Sequence, residues 1–433
     1  MDRRHDAMPL LKKIKTYFDK EGFDYSKNYI NPYEFHSTFY FFMKYFKVID
    51  DEPAPKWANV VQVLIGAVGF TNLCLSILMC AINSVKPFTL PKFIEGGTYI
   101  IVVFYGISIH LCSIFNKSGY HCLLRMLRQD FDFICTRGQT YRKKFFENHL
   151  IIWKLSIVSI IFTQSIAIGM IAFSIILLSY YMATHEPGDG TSRPLLIPFW
   201  IFNLDLNKSP IYEILFNYSH LAQLCYGFTY VFLVQTQIVW IKHIETKADI
   251  VIWLLNDLFD NLTYPNTEEE KKVCDTEIKN RMCFIIRQHQ SVYTLLESYA
   301  AVYRKLLMFE QKLCGPVVCF ASYCIVLQLE AGEFNGVLLL LCIGALTLTY
   351  IPCYLCTTLS EKIMSVSDEC MNIPFWNANP KIIRPYLVLM IRRSLRPLPL
   401  KVPGFQPHTL QTFSKSMVSA YSLFNMLRQA NVQ

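Results

Sequence analysis

The side chains best spaced for chemistry lie near the end of this 433-residue chain, in the stretch LQTFSKSMVSAYSLFNML from Leu410 to Leu427. Thr412, Ser416, Ser419, Ser422, Met426 and Gln429 recur at steps of three and four, so a helix carries them on one face. Hydroxyl and amide groups in such a row can solvate water and ions, or can bond to neighbouring helices. A helix over this stretch reaches about 27 Å, close to the ~30 Å hydrocarbon core of a bilayer. Two readings follow. One is a packing helix whose small polar residues permit close contacts inside a membrane; the other is a helix that lines a pore.

Reaction chemistry finds no support. The chain contains no HExxH, GxSxG, Walker-type glycine loop or paired Glu-x-x-His. Its 10 histidines are scattered. His110 and His220 fall in apolar runs, where an ionisable group is either functional or a neutral, hydrogen-bonded packing residue. Cys353 and Cys356 form a single CxxC inside an apolar stretch with no second pair nearby, which is weak support for a metal. We therefore expect neither an enzyme nor a cofactor or metal site.

Composition sets the class. Hydrophobic residues make up 53% and charged residues only 17%, which describes a polytopic membrane protein. Apolar runs of spanning length occur at about 57–82, 93–115, 150–183, 212–240, 308–329 and 334–355, and the 410–427 stretch makes a seventh. Lys and Arg number 34 in 1–56, 116–149, 241–312 and 361–409 together, against 4 in the alternate connections. The positive-inside rule then puts the amino terminus in the cytoplasm and the carboxyl terminus outside. That topology argues against a G-protein-coupled receptor, and the cytoplasmic bias accounts for the net charge of +8 without nucleic acid. The 15 cysteines all fall in proposed spans or on the cytoplasmic side, which speaks against an outer disulfide framework.

The expected fold is all-α, organised in six regions. Residues 1–56 form a cytoplasmic lead, within which the aromatic run Tyr33 to Ile49 reads as an interfacial or re-entrant helix broken by Asp50 to Pro55. Four membrane helices follow in 57–240. Residues 241–312 show helical periodicity, with a turn near Asn261 to Glu270, and predict that the membrane helices continue into a cytoplasmic bundle. Two more membrane helices occupy 313–360, an Arg-rich amphipathic helix lies in 361–409, and Pro397, Pro399, Pro403 and Gly404 lead into the last helix, 410–433.

The carboxyl-terminal quarter carries a specific resemblance. SVSDECMNIPFW (365–376), followed by IIRPYLVLMIRRSLRPLPLKVPGFQPHTLQTFSKSMVSAYSLFNMLRQ (382–429), closely resembles the insect odorant receptor family, and RPLLIPFWIFNLD with SPIYEI is similar to that family's second outer loop. Two departures refine the placement. The chain lacks the extra-long second cytoplasmic loop and apolar ending of the shared co-receptor, so it resembles a ligand-tuning subunit. It also has Leu423 where an aromatic commonly follows the Ser or Thr of the last helix, and it lacks the Tyr-to-Gln-Phe ending of gustatory receptors.

The resemblance implies a ligand-gated, weakly selective cation channel in the cell membrane of a sensory dendrite, built as a heterotetramer with odorant co-receptor subunits and conducting cations through one central pore. Ser419 and Ser422 would line that pore, with Met426 and Ala430 at the gate positions and Gln429 beside them. A small neutral volatile would sit in the outer half of the bundle. Candidate ligand contacts are Phe104, Tyr105, Phe173, Leu177, Tyr180, Tyr181, Tyr212, Phe216 and His220, of which Tyr181, Tyr212 and His220 could donate a hydrogen bond to an ester or carbonyl oxygen. The alternatives are a seven-helix chemoreceptor without its own pore, a gustatory-type homomeric channel, and a transporter, for which no internal repeat is visible.

Overall fold

A computed structural model describes residues 4–25, 27, 29–49, 56–85, 89–185, 193–199, 201, 205–262, 267–377, 379–396 and 407–432. Asp50 to Pro55 and the Pro397 to Gly404 segment lie outside the described residues. Among the described residues the regular structure is helical throughout. Three short helices come first: α1 (Arg4–Asp19), α2 (Pro32–Phe35) and α3 (Ser37–Tyr45). Then follow α4 (Lys56–Val85), α5 (Leu90–Phe115), α6 (Lys117–Cys135), α7 (Gln139–Thr184), α8 (Ile211–Asn256), α9 (Glu268–Glu330), α10 (Gly336–Asn372), α11 (Pro380–Ser394) and α12 (Leu410–Val432).

Six of these, α4, α5, α7, α8, α9 and α10, are long and apolar enough to cross a membrane. The more polar α12 is also continuous, over 23 residues. Several helices outrun any bilayer. Both α7 and α8 have 46 residues, and α9 has 63; at about 1.5 Å per residue they reach ~70 and ~95 Å against a ~30 Å hydrocarbon core. Each is therefore longer than a bilayer crossing requires. The sequence boundaries at 240, 312 and 360 fall inside α8, α9 and α10.

Local chemistry sets where these helices begin. Thr267 and Glu270 form a reciprocal capping box at the start of α9, whose first turn holds Glu268, Glu269 and Glu270. Asn335 accepts a hydrogen bond from the Leu338 amide to open α10, and Asn379 accepts one from Lys381 just ahead of Pro380 to open α11.

The aromatic run before α4, expected as a single interfacial or re-entrant helix, is divided into two short helices. It folds as α2 and α3, and Phe35, Phe39, Phe42, Met43 and Phe46 are buried in the main core. The reason is a matching set of rings on α8: Phe46 stacks on Phe232 at 4.0 Å, and Phe39 meets Trp240 edge-on at 5.5 Å. Phe41, on the opposite face of α3, remains exposed.

Beside these rings runs a buried polar chain. His36 Nε2 lies 2.9 Å from His149 Nδ1, His149 Nε2 lies 3.3 Å from His243 Nδ1, and His243 Nε2 lies 3.1 Å from Asp130 Oδ2. Lys247 Nζ closes the row, 2.5 Å from Asp130 Oδ1. With one proton per ring, the Asp130 carboxylate sets the direction: each Nε2–H donates toward Asp130, and His149 and His243 each accept at Nδ1 from the ring behind. Burial alone would raise the Asp130 pKa, but Lys247 and His243 together outweigh it and hold the carboxyl below its ordinary range. His36, fully enclosed and facing Lys20 and His243, is pushed down to about 3.

A pH dependence follows. Native His36 stays neutral between its usual value near 6.5 and about 3, while the unfolded chain takes up the proton, so stability falls as pH drops through that window. The slope contributed is up to about 1.4 kcal/mol per pH unit. Thermal unfolding in detergent from pH 7.5 to pH 4.5 should show it, and His36→Asn should make the dependence shallower without abolishing it, because buried His149 is held below its ordinary value as well.

Candidate functional site

The helices α5, α7, α8, α9 and α10 line a cavity of about 130 Å³. Val103, Ile166, Ala167, Met170, Leu341 and Leu348 make its wall mostly apolar. Small residues let the helices close around it. Gly227 leaves room for Ala167, whose Cβ would stand 3.0 Å from a Cβ at 227. Gly106 lies under the ring of Tyr226, where a Cβ would come within 2.9 Å of Cδ1.

Most polar groups of the wall are spoken for by the protein. Tyr230 donates to the Val102 carbonyl at 2.8 Å, Gln223 reaches Met170 Sδ at 3.2 Å, and Thr349 bonds back to Ala345 O at 3.0 Å. Asn72 donates to the Tyr226 hydroxyl at 3.3 Å. Glu310 is different. Its Oε1 accepts from Tyr105 at 2.7 Å and from Gln237 at 2.9 Å, while its Oε2 is buried without a hydrogen-bond partner among the described residues.

Of the nine ligand contacts expected from sequence, Tyr105 lies on this cavity. The others stand elsewhere. Phe104 is 40% exposed on the outer surface of α5 and meets Phe309 edge-on. Phe173 covers Gly336 and packs on Phe334. Leu177 is half-buried and Tyr180 is exposed, and Tyr181 stacks on His185 at 4.7 Å. Tyr212, Phe216 and His220 form a ladder along α8 toward the connection from α7, where Tyr212 donates to the Pro194 carbonyl at 2.7 Å. His220 Nδ1 lies 2.7 Å from the Phe216 carbonyl. Glu310 and Gln223 line the cavity without having been among the expected contacts; an acidic residue inside the apolar run 308–329 was the available signal for Glu310.

The α12 helix packs on α9 and α10. Ala420 is buried, and Phe424 and Leu427 join the cluster holding Val317 and Leu341. Its two ends are pinned: His408 Nε2 lies 2.8 Å from the Leu307 carbonyl, and Arg428 pairs with Glu330 at 2.7 Å. The polar row splits along its length. Thr412 is buried and donates to the Pro407 carbonyl, Ser416 is half-buried, and Ser419, Ser422, Met426, Gln429 and Ala430 are exposed.

These features define a multi-pass helical membrane protein with an internal apolar cavity and one amphipathic helix whose polar face is uncovered in the single chain. The comparisons with known proteins agree. Residues 89–421 match the family model described as 7tm Odorant receptor, and the chain belongs to that family, one of receptors and not of enzymes. It is similar to Odorant receptor 67c of Drosophila melanogaster, 24% identical over 186 residues, which make up 41% of this chain and 45% of that protein. The match thus spans less than half the length of that relative.

Its fold is similar to the insect olfactory receptor OR5 from Machilis hrabei, with a TM-score of 0.67 at 13% identity, covering 92% of this chain and 100% of that one. The same receptor in complex with eugenol gives a TM-score of 0.69 at 13% identity, over 93% and 100% of the two chains. At this identity the likeness is one of fold.

The close approach at Gly106 can be checked. Gly106→Ala should lower stability by about 1–3 kcal/mol, because the Tyr226 ring is held by Asn72 and cannot swing away freely. Gly97→Ala, where the nearest atom is Phe320 Cε2 at 3.9 Å, should be nearly neutral. Melting temperatures of the two purified variants make the comparison.

Proposed function

We propose that this chain is the ligand-tuning subunit of an odorant-gated, weakly selective cation channel in the cell membrane, assembled with odorant co-receptor subunits into a tetramer around one pore. The observation that carries this reading is the free face of α12. Ser419, Ser422, Met426 and Gln429 stand exposed beside Val418 and Tyr421, on the side of α12 turned away from its contacts with α9 and α10. A polar row on a membrane helix is costly against lipid and favourable against water or other subunits. Met426, with Gln429 and Ala430 beside it, would close the pore by excluding water until the helices part.

The asymmetry of Lys and Arg supports a cytoplasmic amino terminus and an extracellular carboxyl terminus. In that orientation the projecting parts of α7, α8, α9 and α10, together with α11, make the cytoplasmic anchor. The cavity between α5 and α10 would take a small neutral volatile. The likeness to a receptor solved with eugenol supports a small organic ligand. Burying roughly 300 Å² of such a molecule contributes about 7 kcal/mol before the costs of association, which gives modest affinity and selectivity by shape.

Whole-cell current under a panel of neutral volatiles tests the proposal, in cells expressing this chain alone and with the co-receptor. Odorant-evoked cation current only in the pair is the expected result. Current from the chain alone would identify a homomeric channel, and silence in both despite surface delivery would favour a receptor without a pore. In the conducting pair, Met426→Ala and Gln429→Ala should each change relative cation permeability or block at least about twofold, as expected for side chains at a constriction. Unchanged permeation in both would remove α12 from the pore.

A further inference from the structure

Glu310 is 3% exposed and belongs to the cavity wall, at the position on α9 farthest from Glu330 among that helix's lining residues. Tyr105 on α5 and Gln237 on α8 both donate to Oε1, so two helices fix the carboxyl plane. Nothing among the described residues bonds to Oε2, and no Lys or Arg forms an ion pair with the group there. A buried carboxyl oxygen left without a partner is unfavourable. A ligand that completes it therefore gains over one that fills the same apolar space and does not.

The chemistry of the possible partners narrows the class. An ether, ketone or ester oxygen only accepts, so it can serve Oε2 only while that atom carries a proton. An ammonium group would have to surrender its hydration to form a buried ion pair, a cost that offsets most of the attraction. A hydroxyl both donates and accepts, and it completes Oε2 in either protonation state. We propose that the cavity selects hydroxyl compounds, alcohols or phenols, and that Glu310 is the residue that reads the hydroxyl. The inference rests on the reading of this cavity as the ligand site.

Matched pairs test it: 1-hexanol against hexyl methyl ether, and p-cresol against 4-methylanisole. Two readouts are needed, evoked current in the co-receptor pair and the ligand-induced rise in melting temperature of the purified chain. In the wild type the hydroxyl member of each pair should act at about tenfold lower concentration, the equivalent of one buried hydrogen bond. Glu310→Gln keeps an oxygen for Tyr105 and Gln237 but replaces Oε2 with an N–H donor. That N–H serves a hydroxyl oxygen and an ether oxygen alike, so the ether should gain about tenfold and draw level with the hydroxyl member.

Equal melting shifts from hydroxyl and ether in the wild type would overturn the assignment without any variant, as would no shift from any of the four probes. An unchanged preference in a folded Glu310→Gln variant would overturn it too. Hydroxyl-selective shifts with no evoked current would uphold Glu310 and refute the channel. Evoked current with no hydroxyl preference would do the reverse.

Discussion

The rest of the structure depends on one constraint, the satisfaction of polar groups on a helix segment with almost no exposed side. From Val231 to Val251, α8 is buried around nearly its whole circumference, yet it carries Gln235, Thr236, Gln237, His243, Glu245, Thr246 and Lys247. Thr236 and Thr246 bond back to carbonyls of α8 itself, and the longer side chains turn to neighbouring helices. Gln235 reaches Thr38 on α3, Gln237 reaches Glu310 on α9, Glu245 accepts from Thr358 on α10, and Lys247 and His243 hold Asp130 on α6. Each partner lies on a different element. The apolar surface supplies most of the attraction among these helices, but the polar pairs fix their rotation and depth, because a slipped helix would leave a buried donor or charge unmade.

This arrangement explains what could be read from the sequence and what could not. The spans were legible because a helix in lipid needs about 20 apolar residues, and their continuation beyond the membrane was legible because Ile278, Met282, Ile285, Val292 and Leu296 keep a helical spacing past any hydrophobic run. The start of α9 at Glu268 falls inside the stretch from Asn261 to Glu270 expected as a turn, because the Thr267–Glu270 capping box opens the helix there. The chain of His36, His149, His243 and Asp130 was invisible. Its members are 113, 94 and 113 residues apart in sequence, and no local pattern joins them.

Depth and facing were the other obstacles. Aromatic residues near the helix ends, such as Tyr180 and Tyr181, suit an outer ligand pocket by position, but a cavity wall is made by whichever side chains point inward at one level of several helices. On α5 that distinction separates Tyr105 from its neighbour Phe104. The aromatic run before α4 posed the same problem in reverse. Its composition matches a membrane interface, and only the rings waiting on α8 turn it into core.

In the proposed channel, ligand and pore meet on α9. Glu310 and Cys314 border the cavity, while the very next residues, Gln311 and Gly315, border the groove against α12. Gly315 offers no side chain there, and a Cβ would stand 3.8 Å from the Ser416 carbonyl. A helix cannot move one face without the other. Any ligand that prefers one position of α9 therefore acts on α12 directly, and it shifts the balance only by the difference in its affinity for the two positions. A single hydrogen bond supplies about tenfold, whereas carrying a closed channel from 1:99 to 99:1 takes about 10⁴-fold. The shape of the whole apolar wall, or the summed effect of several liganded subunits, has to supply the remainder, so potency and efficacy should separate among ligands that share the same polar contact.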